Sequence, residues 1–498
     1  MIVRHYSAET IKKLSLEKEL ILFGAGRNLN HLFEWNREFK LEETVKLIVD
    51  NSREKWGQDY RVNGSKIPIQ SPETLNQFMP ENLLIVITVA DYQPIFAQLQ
   101  NLFWKDDVCI TTFPEDKWET EKELKKKIRE KPLREDWIIL RGEGDTCENA
   151  VVFSKTLKKS PREYTLIWLC DHPEKFEDSK KNIHIRWGVL HSCYSREERN
   201  KFIYYMFQAK YLFFDNMFIN KVREDQVSVY LKHGEMPIKS TIGLINLPRN
   251  LNYTTASSVY SRRVITRQYS VNPERVILCG QPRTDILFSK KEDNEAEKFL
   301  NIRNFSKTIL WMPTFRQHIS GTRNDSGKIF YKGIPILDND REIQDLENKL
   351  TRGNIQLVIK PHKYQNLRKI QFHLSRNLRV ITQDDIDQAG LNTHRLMRYV
   401  DAMITDYSSV EFDFMLLDRP MGFTLDDIND YKLDFAVSNP KMLMPGKHIF
   451  NIEDLMDFID DINKGKDRYK EERRLLNKKV NQYVNGHSSQ RLCQLLHL

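Results

Sequence analysis

Short apolar runs, each ending in a polar loop, recur along most of the chain. LILFG at 20–24, VKLIV at 45–49 and LLIVITVA at 83–90 have the length and continuity of buried strands. Apolar positions at helical spacing follow the first through Leu29, Leu32 and Phe33, and the third around 95–103. The series continues with WIIL at 137–140, TLIWL at 165–169, YLFF at 211–214 and VSVYL at 227–231. VIL at 276–278, TILWM at 308–312, QLVI at 356–359 and AMI at 402–404 complete it. Strands alternating with helices predict an α/β fold with mainly parallel sheets.

With 498 residues, one ordinary core is too small, and length suggests about three domains. Residues 1–115 are expected to form a Rossmann-like module. Gly24-Ala25-Gly26 opens its first helix, and Asp50 stands where a dinucleotide-binding unit places its ribose carboxylate. The third glycine of that motif is missing, and both a structural or regulatory role and nucleotide or sugar-nucleotide binding fit the residues. A dense charge run, broken by Pro132, makes 116–135 a solvated helical linker. Two further α/β blocks are expected at 136–255 and 256–470, the strand at 276–278 belonging to the later one. Charged helices over 453–479 lead to closing helices at 471–498.

The candidate chemistry sits at strand ends. In 401–423 (DAMITDYSSVEFDFMLLDRPMGF) an apolar strand runs into Thr405-Asp406-Tyr407-Ser408-Ser409 and then a helical period. Asp, Ser and Ser are residue types that cap helix N-termini, where free N–H groups and the helix dipole favour phosphate. Asp406 suits a cap or the orientation of a nucleotide hydroxyl. Three other strands end in loops bearing Arg283, Thr314 with Arg316, and Lys360 with His362. Ligands of open parallel sheets bind beyond the carboxyl ends of the strands. Arg283, Thr314, Arg316, Lys360, His362, Ser408 and Ser409 are therefore expected to line one rim. The strand at 227–231 ends in the polar loop KHGEMPIK, 232–239.

Charge narrows the partners. A net +8, from 77 basic and 69 acidic residues, fits an anionic substrate or an anionic membrane surface, and no nucleic-acid-binding signature accompanies it. The clusters at 464–470 and 473–479 suit lipid headgroups as well as they suit solvated helix faces. Apolar runs fall short of the ~18–20 residues of a membrane span, and the opening lacks a secretion signal, so a cytoplasmic protein, peripheral at most on the inner face of the membrane, is expected. Cys109, Cys147, Cys170, Cys193, Cys279 and Cys493 are scattered without a CxxC pair, which favours reduced thiols over a zinc site. His172, His184, His191 and His373 are expected to be surface or satisfied groups, and Asp418 a turn residue.

Taken together, Gly280-x-Pro282-Arg283-x-Asp285, Pro313-Thr314-Phe315-Arg316, Lys360-Pro361-His362, Thr405-Asp406-Tyr407-Ser408-Ser409 with Phe412-Asp413, Asp418-x-Pro420, and Asn485-Gly486 with Ser489 and Arg491 resemble one family. It is that of the CDP-glycerol glycerophosphotransferases, bacterial wall teichoic acid and capsule polymerases, and the resemblance covers roughly 136–498. It implies a GT-B arrangement of two Rossmann-like domains, the first for acceptor and the second for a CDP-linked donor. It also implies the reaction: an acceptor hydroxyl attacks the β-phosphorus of CDP-glycerol or CDP-ribitol, and CMP leaves, with no cofactor or metal. The acceptor would be a polyol-phosphate or lipid-linked glycan. An ordinary GT-B glycosyltransferase using a nucleotide sugar is the alternative. His233 falls in the family's His-Gly loop, where a histidine is proposed as general base; imidazole, with an ordinary pKa of ~6.5, suits that task. Here the loop departs from the pattern: Lys232 replaces a Trp, and the stretch from Gly234 to Lys239 is one residue longer. The resemblance assigns His362 to catalysis or donor phosphate binding, and Gly234 and Lys239 to the acceptor loop.

Overall fold

The computed structural model describes the chain apart from residues 1–2, 5, 7, 90–91, 104–107, 113–123, 143–147, 188–195, 319–322, 368–369 and 371–374. Cys147, Cys193, His191, His373 and the first half of the charged linker lie outside the described residues; the linker continues as a helix at 124–129. The molecule has two compact units, 1–137 with 167–209 and 138–166 with 210–498.

In the first unit, Glu19–Phe23 lies between parallel strands Val45–Val49 and Leu83–Ile87 in a seven-stranded sheet. These strands read as unbroken apolar runs because both faces of the sheet are covered. Gly24 has φ +113°, a conformation that glycine adopts without a Cβ clash. Leu29, where the third glycine of a dinucleotide motif would stand, is fully buried in one apolar cluster with Leu20, Leu22 and Leu84. The Asp50 carboxylate accepts the N–H groups of Ala25 (2.6 Å) and Ser52 (2.8 Å) and the Lys55 ammonium (3.1 Å). Burial would raise its pKa, but those donors outweigh burial and hold it below the usual value. Asp59–Val62 and Ser65–Gln70 form an antiparallel hairpin around Asn63-Gly64, both at positive φ. Asn-Gly is the strongest short hairpin signal in a sequence, and it stands unread in the expectations above. Thr165–Cys170 and Asn182–Arg186 are strands of one further sheet, and their residues from 167 onward belong to this unit.

Two sheets contribute to the second unit, the seven-stranded one that also holds Thr165–Cys170 and a six-stranded one. In one, Ala209–Phe214, Val227–Tyr230, Tyr253–Ala256 and Val276–Leu278 pair in that order. The strand at 276–278 therefore closes this sheet and does not open the next. Helix Val259–Tyr269 carries the crossover between Tyr253–Ala256 and that strand, and a capping box at Ser258 and Ser261 starts it. The other sheet has six strands, in the order Leu378–Val380, Ile355–Ile359, Lys307–Trp311, Ala402–Thr405, Met421–Thr424 and Lys447–Ile449, all parallel. The expected charged pair of helices is Ile452–Asn463 and Lys470–Val480, followed by Ser488–Leu496. Among the described residues, no helix is long and apolar enough to cross a membrane.

Candidate active site

The loop after Val227–Tyr230 turns sharply at Lys232, a buried lysine at φ +64°. Its ammonium donates back to the Glu235 carbonyl, closing the loop on itself. Burial lowers the Lys232 pKa, and the Glu235 carboxylate opposes that shift. Glu235 in turn accepts the Ser257 N–H (2.7 Å) and hydroxyl (2.6 Å). The Lys232 carbonyl accepts from Asn149 at 2.8 Å. Between these two buried residues His233 projects to the surface. The Lys–Glu pair thus braces a loop one residue longer than the family pattern.

Gly234 packs directly against Ser409: a Cβ added there would lie 2.1 Å from the Ser409 hydroxyl oxygen. The Arg283 guanidinium donates to the His233 carbonyl and, at 2.6 Å, to Asp413. His233, Gly234, Arg283 and Ser409 are thereby brought together.

Thr314, Arg316 and Asp406 form a second, buried group. Arg316 is 4% exposed and donates to Asp406 at 2.8 Å and to Asp427 at 2.7 Å. Burial disfavours its charge, but the two carboxylates hold it protonated above its ordinary pKa. Asp406, with no exposed surface, also accepts the Thr314 N–H at 3.1 Å and its hydroxyl at 3.1 Å. Asp406 therefore caps no helix and faces no open space; it fixes Thr314 and Arg316. Helix Val410–Phe414 is only five residues long, with Ser409 at its N-cap making no side-chain capping bond. A 3-10 turn, Met415–Leu417, and Asp418 at φ +50° end it, so the helical period over 410–417 forms as a short α-helix continued by a 3-10 turn. The Ser408 hydroxyl accepts from the Val410 N–H at 3.4 Å.

The His362 ring lies among the charges of Lys239, Lys360 and Lys363 and near His233. Burial first, and then the charges of Lys239, Lys360, His233 and Lys363, depress the His362 pKa to about 3. Burial likewise lowers Lys239, against the pull of Asp406. The Tyr364 N–H donates to His362 Nδ1 at 3.2 Å, which leaves the proton of the neutral ring on Nε2. His362 is thus a hydrogen-bond donor held in a surplus of positive charge. Because its folded pKa lies below the unfolded value, its contribution to stability is complete above pH ~6.5 and is lost as pH falls toward 3, at ~1.4 kcal/mol per pH unit. Urea unfolding between pH 7 and 4 should show this loss, and His362→Gln should flatten it by about that slope.

For several residues of this site the sequence held no sign of their role. Asp413 and Asp427 are buried partners of Arg283 and Arg316, and His394 lies against Asp413. Glu411 is fully buried with neither carboxylate oxygen hydrogen-bonded. Burial, and then the Asp406 charge, raise its pKa well above normal, so it is a neutral acid. Other motif residues are structural. Asp285 accepts the N–H groups of Ser488 (2.7 Å) and Ser489 (2.8 Å), and a Cβ on Gly280 would strike Ser488. Together they dock the last helix, with Arg491 bonded to the Cys279 carbonyl at 3.0 Å. His172 and His184 stand beside Glu174 and Asp178, as expected of satisfied groups. Asp418 is the expected turn residue and binds Arg473 and Arg474. Arg473 has no exposed surface, which removes it from the basic cluster at 473–479.

A family model described as CDP-glycerol:poly(glycerophosphate) glycerophosphotransferase matches residues 124–498. Among curated proteins, the teichoic acid glycerol-phosphate transferase of Staphylococcus aureus (strain NCTC 8325 / PS 47) is 27% identical over 251 residues, covering 49% of this chain and 60% of that protein. The teichoic acid ribitol-phosphate polymerase TarK of the same strain is 27% identical over 289 residues, covering 53% of each. The matched chain thus spans little more than half the length of these relatives. Among solved structures, the wall teichoic acid polymerase TagF superposes with a TM-score of 0.59 at 16% identity, over 82% of this chain and 97% of that one. That likeness shows the shared GT-B-like α/β fold. Because the family model spans the whole of the second sheet, the third sheet and every residue of the site just described, the chain belongs to the CDP-glycerol:poly(glycerophosphate) glycerophosphotransferase family.

Proposed function

We propose that the chain transfers a polyol phosphate from CDP-glycerol or CDP-ribitol to an acceptor hydroxyl, releasing CMP. The observation that carries this reading is the packing of Gly234, the neighbour of His233, directly against Ser409 at the start of Val410–Phe414. The acceptor oxygen bonds to the β-phosphorus, the bond from that phosphorus to the bridging oxygen breaks, and CMP departs with the bridging oxygen and its electron pair. The acceptor proton passes to the His233 ring. Phosphoryl transfer needs positioning and neutralisation of spreading negative charge more than covalent catalysis. Lys239, Lys360 and the His362 Nε2–H meet the donor's diphosphate, with Ser408 and Ser409 beside it. Arg316, Thr314 and Asp406 act from behind, as the rigid support of that rim, and Gly234 gives the acceptor loop its close approach.

The relatives named for glycerol phosphate and for ribitol phosphate motivate both donors. The acceptor is a polyol-phosphate or lipid-linked glycan presented at an anionic membrane surface. Lys464, Lys466, Lys470 and Lys478, all exposed, are the residues available to such a surface. A donor screen measured by CMP release, with nucleotide sugars as the competing arm, tests the reading. CMP should appear from a CDP-alditol, and His233→Ala should lower that rate by roughly 100-fold or more. UDP or GDP release from nucleotide sugars alone, or an unchanged rate in His233→Ala, refutes it.

A further inference from the structure

Arg283 has the sequence position of a donor-binding arginine, but its guanidinium faces protein. One terminal nitrogen donates to the His233 carbonyl and the other to Asp413 Oδ2 at 2.6 Å. The same carboxylate oxygen lies 3.0 Å from His394 Nε2. The three side chains are 2–5% exposed. The backbone adds a parallel tie: the Arg283 N–H donates to Asn149 Oδ1 at 2.9 Å, and Asn149 Nδ2 donates to the Lys232 carbonyl at 2.8 Å. Two consecutive carbonyls, of Lys232 and His233, are therefore held from one point of the chain.

We propose that Arg283, Asp413 and His394 form a positioning relay that sets His233 relative to the donor rim. The proposal rests on the reading of His233 as the base. Asp413 belongs to Val410–Phe414, the short helix that begins at Ser409. His394 belongs to Thr393–Met397 of the same half of the unit, whereas His233 follows a strand of the other sheet. The relay is thus a charged cross-link from the donor-side helix to the base-bearing loop, and it runs beside the Gly234–Ser409 contact. Burying a charged pair adds little net stability, and its best-attested use is to fix one arrangement among several. Transfer is sensitive to that arrangement, because a misplacement of ~1 Å lowers rates by roughly 100-fold. A lysine at 283 cannot make both of the arginine's directed bonds at once.

The test uses the full chain with the CDP-alditol and acceptor that turn over in the donor screen. Arg283→Lys and Asp413→Asn should each lower kcat by roughly 100-fold while leaving the KM for the CDP-alditol within about threefold. His394→Gln, which keeps a donor toward Asp413, should retain more kcat than His394→Ala. Rates are referred to folded protein from each variant's thermal midpoint. If Asp413→Asn does not fold, Arg283→Lys and the His394 pair carry the comparison. A donor KM raised tenfold or more with kcat kept would make Arg283 a donor ligand and overturn the relay. Wild-type kcat per folded molecule in all variants would overturn it too, by showing a purely structural role. The parent reading fails separately: there, His233→Ala itself leaves CMP release unchanged.

Discussion

Gly234→Ala is expected to lower the rate of the proposed CMP release by roughly 100-fold, because the added methyl drives the His233 loop off Ser409. The new Cβ would lie 2.1 Å from the Ser409 oxygen and 2.9 Å from its Cβ, distances that no rotation of one side chain relieves. The backbone at Gly234 does not take a positive φ, so alanine meets no left-handed strain there, and the effect isolates the contact. Ser409→Gly removes both clashing atoms. The double variant Gly234→Ala/Ser409→Gly should therefore recover much of the rate lost by Gly234→Ala, beyond whatever Ser409→Gly alone loses. A double variant as slow as Gly234→Ala would show that the contact does not set the loop.

Arg316→Met should cost the second unit about 3–5 kcal/mol, because it leaves buried charge without its partner. Arg316 bonds to Asp406 and Asp427, both with no exposed surface, and it stacks over the rings of Tyr407 (5.0 Å) and Tyr431 (5.4 Å). Tyr407 also donates to Asp427 at 2.9 Å, so the network ties the strand end at 405 to that at 424. Against a total stability of ~5–15 kcal/mol, a loss of that size lowers the urea midpoint severely. Arg316→Lys should recover little, since an ammonium cannot reproduce the paired Nε and Nη2 bonds to Asp427 at 2.7 and 3.1 Å. A shift below ~1 kcal/mol in Arg316→Met would mean that solvent reaches the two carboxylates.

These two variants mark the limit of what the residues announced. Thr314, Arg316, Lys360, His362, Ser408 and Ser409 were legible because each follows an apolar run at a strand's carboxyl end, and the fold puts such ends on one side. Their division of labour was not legible. Arg316 and Arg283 looked alike as cations on a rim, yet both lie under it, neutralised by carboxylates 90 to 130 residues away in the chain. Asp413 stood in a recognised motif without a role, and His394 and Asp427 stood in none. The helical period after Ser409 forms as a five-residue helix and a 3-10 turn, a difference of geometry that periodicity does not resolve.

By itself the sequence determined the alternation of buried strands and helices, the punctuation at strand ends, the Gly24–Asp50 module and the family motifs of the second unit. These are short-range properties, fixed by apolar spacing and by residue types within a few positions. Tertiary structure alone decided that Val276–Leu278 closes one sheet rather than opening another, that Gly234 rests on Ser409, and which arginines are paired with buried carboxylates. Charge pairing, burial and close contact are set by elements far apart in the chain. Whether a buried arginine meets a carboxylate or a ligand depends on what packing brings within ~3 Å, and no local pattern carries that distance.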